Sequence, residues 1–394
     1  METNPHTDVS PAEWRDWRWQ HRHALRTPDE VARLVHLTDD ERRGLVETAA
    51  TFRLGITPYY AALMDREHPF CPIRMQAIPR AAEATAAAGD LRDPLGEDRH
   101  RPARAIVHKY PDRVLFLVSD TCSVYCRHCT RRRITSGEEG AFDRAAAEEA
   151  LEYVRAHAEV RDVLVSGGDP LVLSDERLAW LLDALRAIPH VEIIRVATRA
   201  PVTCPMRVTD ALAAMLRAHK PVFVVTHFNH PKECTAEAAE ACERLVDHGV
   251  PVENQTVLLR RVNSSARTIM DLNQRLLAWR VRPYYLHQGD LAEGTGHLRT
   301  PLACGVEIIE KLRGWTSGLA VPHLAVDLPG GGGKITLQPE YRIGAGAEPR
   351  GDGTWFRGYA GGRWYYPEPP ERDCDCPYDE IFYAGRAERV GSGR

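Results

Sequence analysis

The chain has 394 residues, 43% of them hydrophobic, enough for one large core with extensions or for two to three ordinary domains. A formal net charge of -4 argues against a general polyanion binder, and no run approaches the roughly 20 apolar residues of a membrane helix. The N-terminal "METNPHTDVSPAEWRDWRWQ" has no apolar leader, so the expectation is a cytoplasmic protein bound to neither membrane nor nucleic acid.

Residues 11–53 read as short polar helices and residues 54–112 as a proline-rich, loop-rich stretch. From Arg113 the pattern changes. Apolar runs of strand length, "VLFLVS", "DVLVSGG", "VEIIRVATR", "PVFVVTHF", "VENQTVLL" and "RPYYLHQ", alternate with helical stretches such as "FDRAAAEEALEYVRAHA" and "DERLAWLLDALRAI". Six strands at βα spacing imply a parallel sheet covered by helices. Six units are too few for a closed eight-fold barrel, so the prediction is an α/β fold with a partial, open (β/α)6 barrel; a doubly wound sheet is the alternative. The organisation expected is a helical N-terminal extension over 1–112, the barrel over 113–328, and a C-terminal extension over 329–394 rich in Gly and aromatics.

Polar motifs follow the strands: "SDTCSVYCRHC", "SGGDP", "TRAP", "THFNH", "NQ" and "HQGD". In parallel α/β folds the C-terminal strand ends build the active site, and six successive polar ends point to one shared site. Cys122, Cys126 and Cys129 form a C-x3-C-x2-C spacing on the loop after the first of these strands. Iron–sulfur clusters are held by cysteine thiolates, normally four, and a closed structural zinc site also needs four ligands. Three cysteines with no fourth nearby suit a [4Fe-4S] cluster with one open iron. Zinc completed by His128 or a distant residue is the bland alternative. A basic run, Arg131 to Arg133, follows; alone it would more often be a solvated or nucleic-acid-contacting stretch.

The spacing, the fold context and the motifs "YPDRVLFLVSDTCSVYCRHCTRRR", "DVLVSGGDPL", "THFNHP", "NQTVLLRRVN", "RPYYLHQGDL", "HLRTP" and "DLPGGGGK" closely resemble the lysine 2,3-aminomutase family of radical S-adenosylmethionine enzymes, from about Pro58 to Cys376. The resemblance implies three cofactors: a [4Fe-4S] cluster, S-adenosylmethionine and pyridoxal 5'-phosphate (PLP). It implies an isomerase that moves the α-amino group of an amino acid to the β-carbon by way of a 5'-deoxyadenosyl radical. By the same resemblance Cys122, Cys126 and Cys129 hold the cluster. Gly167, Gly168, Asp169, His230 and Gln255 surround S-adenosylmethionine, Tyr110 and Arg113 contact PLP, Arg131 clamps the substrate carboxylate, and Asp290 and Asp327 hold a cationic substrate side chain. It further implies an electron donor such as flavodoxin or ferredoxin, and a homo-oligomer.

Two carboxylates in one pocket repel unless a cation lies between them, which argues against glutamate as substrate. Lysine is placed ahead of arginine, although "LHQGD" stands where a tyrosine and a cysteine are typical of the lysine enzymes, with His287 and Gly289 in their place. The arginine-rich composition suits an actinobacterial-type genome, in which β-amino acids often feed antibiotic biosynthesis. The family's zinc site is not expected: Cys374 and Cys376 remain, but Asp379 and Ser265 stand where further cysteines would be. Asp379 or Glu380 would be the only rescue.

"PGGGGK" looks like a nucleotide-binding loop and fails that test. The G-x-x-x-x-G-K-[ST] pattern would need a glycine at 328, which is Leu328, and a hydroxyl at 335, which is Ile335. The chain has five lysines, Lys109, Lys220, Lys232, Lys311 and Lys334. Only Lys334 sits on a side-chain-free arm, the setting for a lysine that forms a Schiff base with PLP and then swings away.

Overall fold

The structure, a computed structural model, describes residues 9–137, 143–348, 351–369, 376, 378 and 384. Nine strands form one sheet in sequence order: β1 (Ile106–Tyr110), β2 (Arg113–Ser119), β3 (Asp162–Gly167), β4 (Ile193–Ala197), β5 (Val222–Thr226), β6 (Val252–Leu258), β7 (Arg282–Gln288), β8 (His323–Leu328) and β9 (Gly333–Leu337). Neighbours from β2 to β8 run parallel, while β1 and β9 are antiparallel to β2 and β8. The six expected βα units are present, and β8 adds a seventh parallel strand after the helix Leu302–Leu312. The sheet is an open barrel.

Side chains alternate between the two faces of each strand. The outward set, including Val114, Phe116, Val163, Val165, Ile194, Val196 and Val224, is fully or almost fully buried under the helices. Burying each such side chain stabilises the fold by about 1.5–3 kcal/mol. Leu258, Leu286 and Leu324 continue this layer against Ile308, Ile309 and Leu312. The helices start on polar caps: the side chains of Ser174, Thr209, Thr235 and Ser265 each accept a backbone N–H of the first turn. Leu25, Val31, Ile56, Tyr59 and Tyr60 of the N-terminal extension join the same core as the strands.

The two sheet edges, β1 and β9, meet through side chains. Tyr110, at the end of β1, accepts a hydrogen bond on its hydroxyl from the Lys334 backbone N–H of β9 at 3.0 Å. Arg99 donates to the Gly330 carbonyl in the turn before β9 at 2.5 Å.

The chain divides into two compact units, Met1–Pro339 and Glu340–Arg394. Lys334 and its hairpin therefore lie in the first unit, past the expected boundary at 328/329. The second unit contains an antiparallel meander of β10 (Arg342–Glu348), β11 (Gly351–Arg357) and β12 (Arg363–Pro367), in which Trp355 packs on Tyr365 at 5.3 Å. Cys376 is exposed; Cys374, Asp379 and Glu380, on which the zinc expectation turned, lie outside the described residues. Ser265 caps the helix Ala266–Ala278.

Candidate active site

Cys122, Cys126 and Cys129 line one cavity of about 190 Å³ at the C-terminal ends of β2 to β6, with Gly167, Gly168, Asp169, His128, Arg131, Arg199 and His227. The loop between the cysteines is fixed from outside the barrel. Tyr125 N–H donates to the Gly55 carbonyl at 3.1 Å and Arg127 N–H to the Gln76 carbonyl at 2.8 Å. Arg127 turns away from the cavity into a fully buried pair with Glu83 at 2.6 Å.

Burial, with Asp169 and the other two cysteines adding, pushes the Cys122 thiol well up; burial and then Cys126 push up Cys129. Without metal these thiols keep their protons, and iron would take the place of those protons. Arg199 donates to Cys126 Sγ at 2.8 Å, and its guanidinium is held by Glu233, Gln76, Tyr60 and the His227 carbonyl at 2.7 to 3.1 Å. Three thiols on the wall of one cavity, with a fixed cationic donor, suit a sulfur-ligated cluster, although among the described residues no three metal-ligating side chains are gathered closely enough to hold a single metal ion.

The glycines after β3 are explained by the backbone. A Cβ at Gly167 would lie 2.3 Å from the Ser119 carbonyl, and one at Gly168 2.4 Å from the Thr121 carbonyl. Gly168 and Asp169 N–H donate to those carbonyls at 2.6 and 2.8 Å, so this motif binds the start of the cysteine loop to β3. The Asp169 carboxylate accepts from Thr198 Oγ1, Arg199 N–H and Leu171 N–H; it is a strut between strand ends. His230 stands apart from the cavity wall. Its Nδ1 accepts from Lys232 N–H at 3.0 Å and caps a short turn, and His227 occupies the wall in its place. His128 presents a buried Nδ1 without a hydrogen-bond partner, the kind of orphaned atom a bound ligand satisfies. Gln255 lies half-buried on the same face of β6 as Val257, which lines the cavity. These groups are of the kind that would face S-adenosylmethionine beside the cysteines.

The basic run is consumed inside the chain. Arg131 pairs with Glu97 at 2.7 Å, Arg132 with Glu83 at 2.6 Å and Arg133 with Asp98 at 2.7 Å. Nucleic-acid contact by this stretch loses its charge basis. Glu97, buried and gripping Arg131 through both oxygens, was not found from the sequence.

Thr130 in the cavity wall donates to Asp290 Oδ2 at 2.7 Å and so links the cysteine loop to the acid pair. Burial, with the Asp327 charge adding and Lys334 and Arg131 opposing, raises Asp290 to about 6. No ion pair to Asp290 occurs among the described residues. Asp327 and Lys334 face each other across the β8–β9 register, and Lys334 Nζ donates to Asp327 Oδ2 at 2.5 Å. Nζ also approaches His287 Nδ1 at 3.3 Å and the Tyr285 ring at 5.5 Å. Tyr110 contacts the Lys334 backbone, and Arg113 stacks on the Tyr110 ring at 4.1 Å. A lysine with an aromatic and two cations, Arg113 and Lys109, at the adjoining edge fits a phosphorylated aldehyde such as PLP.

The family model "Lysine-2,3-aminomutase" matches residues 309–390, and the model "Radical SAM superfamily" matches residues 116–272. The L-lysine 2,3-aminomutase of Bacillus subtilis (strain 168) is 46% identical, over 98% of this chain and 82% of the relative. That of Clostridium subterminale is 46% identical, over 98% and 91%. The glutamate 2,3-aminomutase of Clostridioides difficile (strain 630) is 42% identical, over 85% and 79%. The chain belongs to the lysine 2,3-aminomutase family. As a family member it is an isomerase that works with a [4Fe-4S] cluster, S-adenosylmethionine and PLP.

Proposed function

We propose that the chain is an L-lysine 2,3-aminomutase that converts L-lysine to β-lysine. The observation that carries the choice of substrate is Asp290, a half-buried carboxylate without an ion-pair partner among the described residues, within electrostatic reach of Asp327. A substrate ammonium would neutralise both acids, whereas a glutamate side chain would add a third negative charge. The names of the relatives at 46% identity support the same choice. When bound, the cluster with S-adenosylmethionine supplies a 5'-deoxyadenosyl radical, and PLP supplies a carbonyl that carries the migrating amine.

The residues of the chain bind, orient and exclude. Cys122, Cys126 and Cys129 would hold the cluster, with Arg199 fixing the Cys126 sulfur. His128, His227, Gln255 and the Gly167–Asp169 turn would bound S-adenosylmethionine. Tyr110, Arg113 and Lys334 would hold PLP. Arg131, kept in place by Glu97, would take the substrate carboxylate as a planar, bidentate donor. A one-electron donor of flavodoxin or ferredoxin type, a homo-oligomer and a cytoplasmic location complete the reading. All described cysteines are free, which suits a reducing compartment, and no helix among the described residues is long and apolar enough to cross a membrane.

L-arginine is the second reading, favoured by Gly289. A Cβ there would already touch Arg299 Cγ at 3.4 Å, and the missing side chain removes bulk next to Asp290 in the chain, which would ease admission of a wider guanidinium. Anaerobic reconstitution with iron, sulfide, PLP, S-adenosylmethionine and reductant, followed by mass-spectrometric assay on L-lysine, L-arginine and L-glutamate separately, is the test. Turnover of L-lysine alone is expected. Turnover of arginine but not lysine selects the second reading, and turnover of glutamate alone overturns both.

A further inference from the structure

Lys334 Nζ lies between two acceptors from neighbouring strands, Asp327 Oδ2 at 2.5 Å and His287 Nδ1 at 3.3 Å. An ammonium held by a carboxylate is not a nucleophile; Nζ must lose a proton before it can bond to a carbonyl carbon. The imidazole can take that proton at Nδ1 while Asp327 keeps its negative charge beside the cation that results. We propose that His287 is a catalytic proton carrier for Lys334, taking a proton from Nζ through Nδ1 as the lysine bonds to the PLP aldehyde and returning it to the oxygen that leaves.

The balance is complete within the site. Nζ gives one proton to Nδ1 and adds its electron pair to the aldehyde carbon. The carbon–oxygen bond then breaks, and the oxygen departs as water, both hydrogens of which come from Nζ, one by way of His287. The imidazole starts neutral: burial first, then the charges of Lys334 and His227, press it well below its ordinary value. Once Nζ is neutral the Lys334 contribution disappears, so the imidazole becomes a stronger base at the moment a base is needed. The charged and titratable groups around it are Lys334 from β9, Asp327 from β8, Tyr285 from β7, whose ring lies 5.2 Å away, and His227 beyond β5. The neutral ring must carry its hydrogen on Nε2, since Nδ1 faces the donor.

This inference rests on Lys334 being the PLP lysine, and the experiment separates the two claims. PLP is added to the cofactor-free protein, the lysine–aldehyde bond is followed by absorbance, and borohydride reduction with peptide mapping locates it. His287→Asn keeps an acceptor near the Nδ1 position but cannot carry a proton; His287→Ala removes both. Both variants are expected to load about 100-fold more slowly, in the range of general base catalysis, with imidazole in the buffer restoring part of the rate in His287→Ala. Iron content after reconstitution is the control for folding. His287→Asn loading at the wild-type rate would overturn the proposal and leave Nδ1 as an acceptor only. Failure of the wild type to label at Lys334 would instead defeat the assignment of that lysine.

Discussion

The cysteine loop and the lysine hairpin are held in opposite ways. The loop donates backbone hydrogen bonds to Gly55 and Gln76, pairs its Arg127 with buried Glu83, and rests on β3 through glycines that admit no Cβ. The hairpin sits on the outermost strand, turns through Gly330, Gly331 and Gly333 at positive φ, and keeps its lysine 27% exposed. Its ties to the far edge are two hydrogen bonds, from Arg99 and to Tyr110. A cluster requires ligands that stay in place; a lysine that makes and breaks a covalent bond requires slack. Both sites use glycine, once for close backbone approach and once for conformational freedom.

If the two regions are independent, each should fail alone. Cys126→Ala is expected to drop iron and sulfide to background while the lysine–PLP absorbance still forms, and Lys334→Ala is expected to do the reverse. Loss of both signals from either variant would break the contrast. Asp290, between the regions, gives a smaller and pH-dependent effect. Its folded pKa of about 6 lies above the ordinary 3.8, so ionisation costs stability as pH rises from 3.8 to 6, fully above 6 and not at all below 3.8. Asp290→Asn should therefore stabilise the substrate-free protein above pH 6 by on the order of 3 kcal/mol, taking 1.36 kcal/mol per pKa unit. Denaturant titration across pH measures this, and a gain that persists at the acid end contradicts the cause given. Smallest is the pair of glycine substitutions. Gly168→Ala drives a methyl to 2.4 Å from the Thr121 carbonyl, at about 1–3 kcal/mol. Gly330→Ala meets nothing within 4 Å and bears only its φ of 68°, about 1 kcal/mol. Equal losses in thermal melting would mean that the hairpin is as tightly held as the loop.

The βα alternation and the cysteine spacing were legible because both are local patterns. β8 was not, since its inner face carries His323 and Asp327 and its six residues lack the apolar run of the earlier strands. β1 lay hidden in a stretch dominated by prolines. Arg199, Glu233, Gln76 and Glu97 escaped because their roles are pairings across the fold: Arg199 and Gln76 are 123 residues apart. His227 and His230 share one motif, and only the turn after β5 decides which of them reaches the cavity. Tyr110 and Lys334, 224 residues apart, become neighbours only because an open barrel brings its first and last strands together.

The pairing of Asp327 with Lys334 across β8 and β9 makes the turn a ruler. Strand side chains alternate with a period of two, so a slip of one residue exchanges the two faces of a strand. Deleting one glycine in Gly330–Gly333 would present Ile335 to Asp327, adding one would present Gly333, and either would turn the lysine outward. The turn can therefore tolerate change in its composition more readily than change in its length.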